Sequence, residues 1–251
     1  MSLPLSATSL KLEQGTSYTV EIKLKPSFTY LFSDGSTGKF KDSRQGGGSK
    51  TAVAIVVDKG LHLAMALKQQ NYAYWTTVHQ HDNVPINKPA SPPVSIYDDM
   101  NGEHWTWDAS GSVDGSIKAN ESAKYPAFYA AAHYNPGVPP TGTLATKRWY
   151  LPSLGEALCL APLVFETKAS IIAKGSYIGA NATPLKEAIE QVGGNVDSGM
   201  TGDFFTSTEE DSGYFYWKVR LFRLPFGQYF LVGTSEYRSY SRYVLPFIKY
   251  Q

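Results

Sequence analysis

The chain has 251 residues, 42% hydrophobic and 18% charged, enough for one large domain with a sizeable core, or one domain with a small appendage. A net charge of +1 leaves no field to recruit nucleic acid or an acidic membrane surface, and no run is long and apolar enough to span a membrane. The single cysteine, Cys159, excludes an intrachain disulfide and any metal site needing two thiolates; on an apolar helix it reads as a small core residue.

The opening "MSLPLSATSLKLEQG" has no apolar signal core. Met1-Ser2-Leu3 reads as a vector-derived start, with an export signal or further domains expected upstream. "TSYTVEIKL" then alternates, with Tyr18, Val20, Ile22 and Leu24 on one side of a half-buried strand. "SRQGGGSK" reads as a flexible loop; it lacks the Gly-Lys-Ser/Thr ending and following helix of a phosphate cradle. "SKTAVAIVVDKGLHLAMALK" predicts two strands around an Asp58-Lys59-Gly60 turn, the first nearly all apolar and therefore central.

From about residue 70 to 122, Pro, Asn, Asp and Ser surround embedded tryptophans, which predicts a long loop region of the kind that often carries function. Within it, His79 and His81 flank Gln80, with Asp82 adjacent. Such a pair ligates zinc only with a third ligand, and a metal-free pair in a polar loop is the favoured reading. Asp98, Asp99, Asn101 and Glu103 give part of a calcium-loop pattern without its distal bidentate glutamate, so a solvated turn is favoured. His104, between acidic and aromatic neighbours, reads as a capping or stacking residue.

Three helices are predicted next. "YPAFYAAAHY" is short and alanine-rich. "LPSLGEALCLAP" spaces Ser153 and Glu156 as a capping box and ends at Pro162. "ATPLKEAIEQVGG" has Thr183 as N-cap, an apolar stripe of Leu185, Ala188, Ile189 and Val192, and Gly193-Gly194 as its close. Few helices among many short strands make this an α+β chain. No nucleophile constellation or zinc-protease motif is present.

The C-terminal segment is dense in aromatics and arginine. In "YFYWKVRLFRL", Phe215, Trp217, Val219 and Leu221 share one face, which reads as core. Tyr216, Lys218, Arg220 and Phe222 share the other, which suits contact rather than burial. "QYFLV" gives another strand, and "SEYRSYSRY" supplies the Tyr, Ser and Arg that adaptable binding surfaces favour. An ordinary solvated sheet face is the alternative.

"WYLPSLGEALCL", a helix ending in "GG", then "FFTSTEE…YWKVRLF" and "SRYVLPFIKY" together resemble the C-type-lectin-like fold of bacterial surface proteins. That fold is shared by formylglycine-generating enzymes, phage tropism determinants and the variable proteins of diversity-generating retroelements. The resemblance runs from about residue 125 to the end, and more weakly through "YLFSDGSTGKF" and the residue 49–68 stretch. "LEQGTSYTVEIKLK" is similar to the last strand of a fimbrillin-type domain. Phe205 stands where the family has Trp, and Leu245 where it has Arg. A single cysteine replaces the catalytic pair of the formylglycine-generating enzymes, so that activity is not carried over. The Glu-Pro-Asn motif of calcium-dependent sugar binding is absent.

The resemblance implies small antiparallel sheets, two to three short helices and long ordered loops over residues 27–251. Residues 1–26 would be the strand or linker left from an upstream fimbrillin-like domain. It implies a non-enzymatic recognition or adhesion module at a bacterial cell surface, needing no cofactor, with a protein or carbohydrate ligand. The contact residues expected are Tyr214, Tyr216, Lys218, Arg220, Phe222, Arg223, Tyr229, Tyr237, Arg238 and Tyr240. A structural pilus or surface subunit, and an enzyme acting on glycans through Asp98, Asp99 and Glu103, are the alternatives.

Overall fold

The computed structural model describes residues 27–81, 84–88, 95–164, 166–174, 183–196, 203–211, 217–223 and 231–251, with the backbone alone at 171, 174, 211, 217–223 and 231–236. The strand expected in "TSYTVEIKL" and the expected boundary at residue 26 lie outside the described residues.

Two sheets organise the chain. The first contains β1 (Tyr30–Phe32), β2 (Thr37–Gly38), β3 (Ala52–Asp58), β4 (Leu63–Ala66), β6 (Trp149–Tyr150) and β11 (Phe247–Lys249). Its order is β2-β1-β3-β4-β11-β6, and every neighbouring pair is antiparallel. β3 lies inside this sheet and is covered on both faces, as its unbroken apolar run predicts. The turn after it is longer than Asp58-Lys59-Gly60. It runs to His62, whose φ is 52°, while the Asp58 carboxylate accepts from the Leu61 amide at 3.0 Å.

The second sheet holds β5 (Gln70–Tyr74), β7 (Asp203–Asp211), β8 (Trp217–Arg223), β9 (Leu231–Tyr237) and β10 (Ser241–Val244) in the order β5-β10-β7-β8-β9. Its β10–β7 contact is parallel, the rest antiparallel. Among the described strands β5 and β9 are its edges. The α+β class with small, chiefly antiparallel sheets is therefore established.

The described residues contain five short α-helices: α1 (Gly102–Trp107), α2 (Pro126–Ala132), α3 (Leu154–Leu158), α4 (Lys168–Lys174) and α5 (Thr183–Glu190). Three answer the sequence reading; α1 and α4 go beyond the two to three expected. The capping box of Ser153 and Glu156 is present, and Glu156 accepts from the Ser153 amide at 2.9 Å. α3 stops at Leu158, and Pro162 sits inside a following 3-10 turn, Ala161–Val164, rather than at the helix end. α5 buries Leu185, Ala188 and Ile189 and closes through Gly193 at φ +78°, a conformation an L side chain rarely takes.

The loop expected over residues 70–122 is more structured than predicted. It contains β5, α1 and 3-10 turns at Ile96–Asp98, Ala109–Gly111 and Lys118–Asn120. The "SRQGGGSK" stretch is structured too: Ser43 caps a 3-10 turn over Arg44–Gly46, and a strand, not a helix, follows it.

Two apolar clusters result. The larger joins β1, β3, β4 and β11 to α3 and α5, and Cys159 packs against it, as expected of a small core residue. The smaller gathers Trp75, Trp105, Tyr125, Phe128, Phe205 and Val244 beneath the second sheet. Trp75 is fully enclosed there, and its indole N–H donates to Thr206 O at 2.8 Å, which removes the cost of burying that donor. Phe205 and Leu245 are both fully buried.

Candidate functional site

The C-terminal strands carry the site that the sequence singles out. β8 lies between β7 and β9, so its two sides are the two faces of the second sheet. The register sets Val219 opposite Glu209 and Glu236, and Lys218 opposite Glu210 and Tyr237. Glu209 is buried, whereas Tyr237 is 39% exposed. Cross-strand partners share a face, so the register sets Val219 in the row of Glu209 and Lys218 in the row of Tyr237, with shifts in pairing between Phe205 and Glu209 and between Arg220 and Phe222. Arg220 stands opposite Ser235, Phe222 opposite Phe204 and Val232, and Arg223 opposite Asp203 and Leu231. The side chains of Lys218, Arg220, Phe222 and Arg223 lie outside what is described, and so do Tyr214, Tyr216 and Tyr229 altogether.

The turn from β9 into β10 is described in full. The Tyr240 amide donates to Tyr237 O at 3.1 Å and closes it. Tyr237 and Tyr240 face solvent at its two ends, 39% and 46% exposed, with ring centroids 6.0 Å apart. The Arg242 guanidinium lies 5.4 Å over the Tyr240 ring, an attraction that holds the ring against the strand.

Arg238, between these tyrosines, corrects the sequence reading. It was expected at the surface with them and is instead completely buried. Its Nη1 donates to Glu209 Oε1 at 2.7 Å and to Val84 O at 2.8 Å. Glu209 Oε2 accepts from the amides of Ile86 and Asn87 at 2.9 and 2.8 Å. One ion pair therefore ties the turn, strand β7 and the 84–87 loop together. Burial pushes the Glu209 carboxyl up to about 7, against Arg238, the two amides and Lys118, which draw it down.

Lys118 is equally enclosed. Its ammonium donates to Ser112 Oγ at 2.6 Å and to the carbonyls of Trp105 and Gly111, beneath the faces of Tyr125 and Phe128. Burial pulls it down to about 8, with Glu209 and Asp114 acting in the opposite sense. This is scaffold: every polar atom involved is turned inward.

Other residues singled out by sequence have separate fates. Asp99 is buried, not solvated; its carboxylate accepts from the Trp105 indole at 3.0 Å and from Thr208 Oγ1 at 2.6 Å. Asp98 pairs with Lys168 at 2.8 Å, and Glu103 faces Arg148 at 3.6 Å. His104 meets Asp108 at 3.3 Å and packs edge-on to Trp105, in the stacking role expected. Among the described residues no three His, Cys, Asp or Glu side chains gather as a metal site, and Asp82 lies outside them.

Sequence reading missed Tyr72 and Tyr74. They project from edge strand β5, 46% and 48% exposed, and Tyr72 stacks on Tyr243 of β10 at 4.0 Å. The alternation in "QNYAY" was the signal, hidden because the segment was read as loop. No family model matches the chain, and no curated protein or solved structure matches it.

Proposed function

We propose that this chain is a non-enzymatic recognition module of C-type-lectin-like fold, displayed at a bacterial cell surface and binding a protein or glycan through its C-terminal strands. The observation that carries the reading is the β9–β10 turn, where Tyr237 and Tyr240 face solvent while the arginine between them is locked into the interior. A contact surface needs side chains held before the ligand arrives, because ordering them afterwards costs affinity. Tyrosine on a fixed backbone meets that need with few rotors and a polar tip. Lys218 and Arg220 stand opposite Tyr237 and Ser235 in the register. The non-enzymatic part is supported by Glu156 and Glu209: burial pushes both carboxyls up, yet both are spent on scaffold hydrogen bonds.

The test is a combined glycan and surface-protein array probed with the native chain and with a variant carrying Lys218→Ala, Arg220→Ala, Tyr237→Ala and Tyr240→Ala. Loss of a native signal in a variant with an unchanged melting temperature supports the site. If no array ligand bound by the native chain is lost by the variant, the site is removed. A second reading, a structural pilus or surface subunit, rests on β5: an exposed edge strand bearing two tyrosines suits lateral pairing with another subunit. Concentration-dependent assembly in light scattering, abolished by Tyr72→Lys, would favour it.

A further inference from the structure

A second cleft is lined by residues outside β8, β9 and β10. It has a volume of about 550 Å³, within the usual range for small-molecule sites, and opens between α1, the 3-10 turn after it, and the ends of β6 and β11. Trp107 forms one wall. Its indole N–H donates to Trp149 O at 2.7 Å, which fixes the ring. The Arg148 guanidinium rests 4.8 Å from the centre of that ring. A guanidinium stacked on an indole keeps its N–H edge for in-plane hydrogen bonds. Glu103, at 3.6 Å, is too far to take up those donors as a hydrogen-bond acceptor.

We propose that this cleft binds a neutral saccharide. Its rim supplies both donors, from Arg148 and Asn101, and acceptors, from Glu103 and Asp108, which is what a ring of hydroxyls requires. Met100 and Ile117 add apolar surface suited to the C–H face of a sugar. Lys249 is already engaged by the buried Glu156 at 3.1 Å, which leaves Arg148 facing Glu103 and Asp108. A phosphate or an acidic sugar would meet the Glu103 and Asp108 carboxylates here, so charge complementarity favours an uncharged ligand over an anionic one. The aromatic surface continues out of the cleft. His133 lies 6.4 Å from Trp107, and Tyr129 stacks on His133 at 4.0 Å. That run gives room for a second sugar ring, so an oligosaccharide is favoured over a single hexose. The inference is independent of the C-terminal recognition surface.

The experiment is titration of the full chain with neutral tetrasaccharides built from glucose, mannose, galactose or N-acetylglucosamine, and with a sialylated one, followed by tryptophan fluorescence and calorimetry. Binding of at least one neutral probe is expected, weakened at least tenfold by Glu103→Gln and by Arg148→Met. Both substitutions are at partly exposed side chains, and thermal melting verifies that each variant folds. The variant altered at Lys218, Arg220, Tyr237 and Tyr240 should bind these probes as the native chain does. Failure of every neutral probe, tighter binding of the sialylated one, or indifference to both cleft substitutions would overturn the proposal.

Discussion

Removing the Glu209 carboxylate would leave the Arg238 charge enclosed and the amides of Ile86 and Asn87 without their acceptor. Breaking a buried pair from one side costs about 3–5 kcal/mol, so Glu209→Ala should lower stability in urea denaturation by that amount. Replacing both partners with methionine should cost less than the sum of the two single changes, with a coupling of about 1–3 kcal/mol. A strictly additive result would mean that the pair does not act as a unit. Phe205 allows a second residue-scale test. It is fully enclosed, so Phe205→Trp should overpack the smaller cluster by about 1–3 kcal/mol and lower the melting temperature.

Among the elements, α1 and α3 approach each other where a side chain would not fit. A Cβ on Gly102 would stand 2.3 Å from Glu156 Oε2 and 2.7 Å from the backbone at Leu151 and Ser153. Gly102→Ala should therefore push α1 away from α3, costing about 1–3 kcal/mol or more, and circular dichroism melting would register it. Glu156 is buried and already fixed by Tyr150, Ser153 and Lys249, so it has little room to yield. How far these elements were legible differed with the range of their contacts. β3 and β4 could be read because their apolar run and turn are local. α1 could not: its helix is six residues long, and the acceptor that fixes Trp107, Trp149 O, lies 42 positions away. Arg238 was misread for the same reason. A charged residue in a turn looks exposed until Glu209, 29 positions earlier, is brought beneath it.

The whole molecule should show the balance of its buried charges as a pH dependence. The Glu209 carboxyl is raised in the fold, so the folded state holds that proton more tightly than the unfolded chain. Its contribution is complete below the ordinary glutamate value of 4.5 and is lost as pH rises through about 7. Lys118 is lowered, so its contribution is present above 10.5 and is lost as pH falls through about 8. The burden of both charges is therefore greatest between pH 7 and 8. Relative to Glu209→Gln, the native chain should lose about 3 kcal/mol between pH 4.5 and neutrality, measured as the difference in urea midpoints. A pH-independent difference would show that Glu209 stays ionised throughout.

One feature of the first sheet bears on how the chain folds. β11 is the strand that joins β4 to β6. Its two partners lie far upstream in the sequence, at Leu63–Ala66 and Trp149–Tyr150, so the sheet closes only when remote segments meet. Until then the apolar rows of β3 and β4 have no completed layer to rest against. A closing step that joins segments so far apart is intrinsically slow and leaves those rows open to wrong pairing.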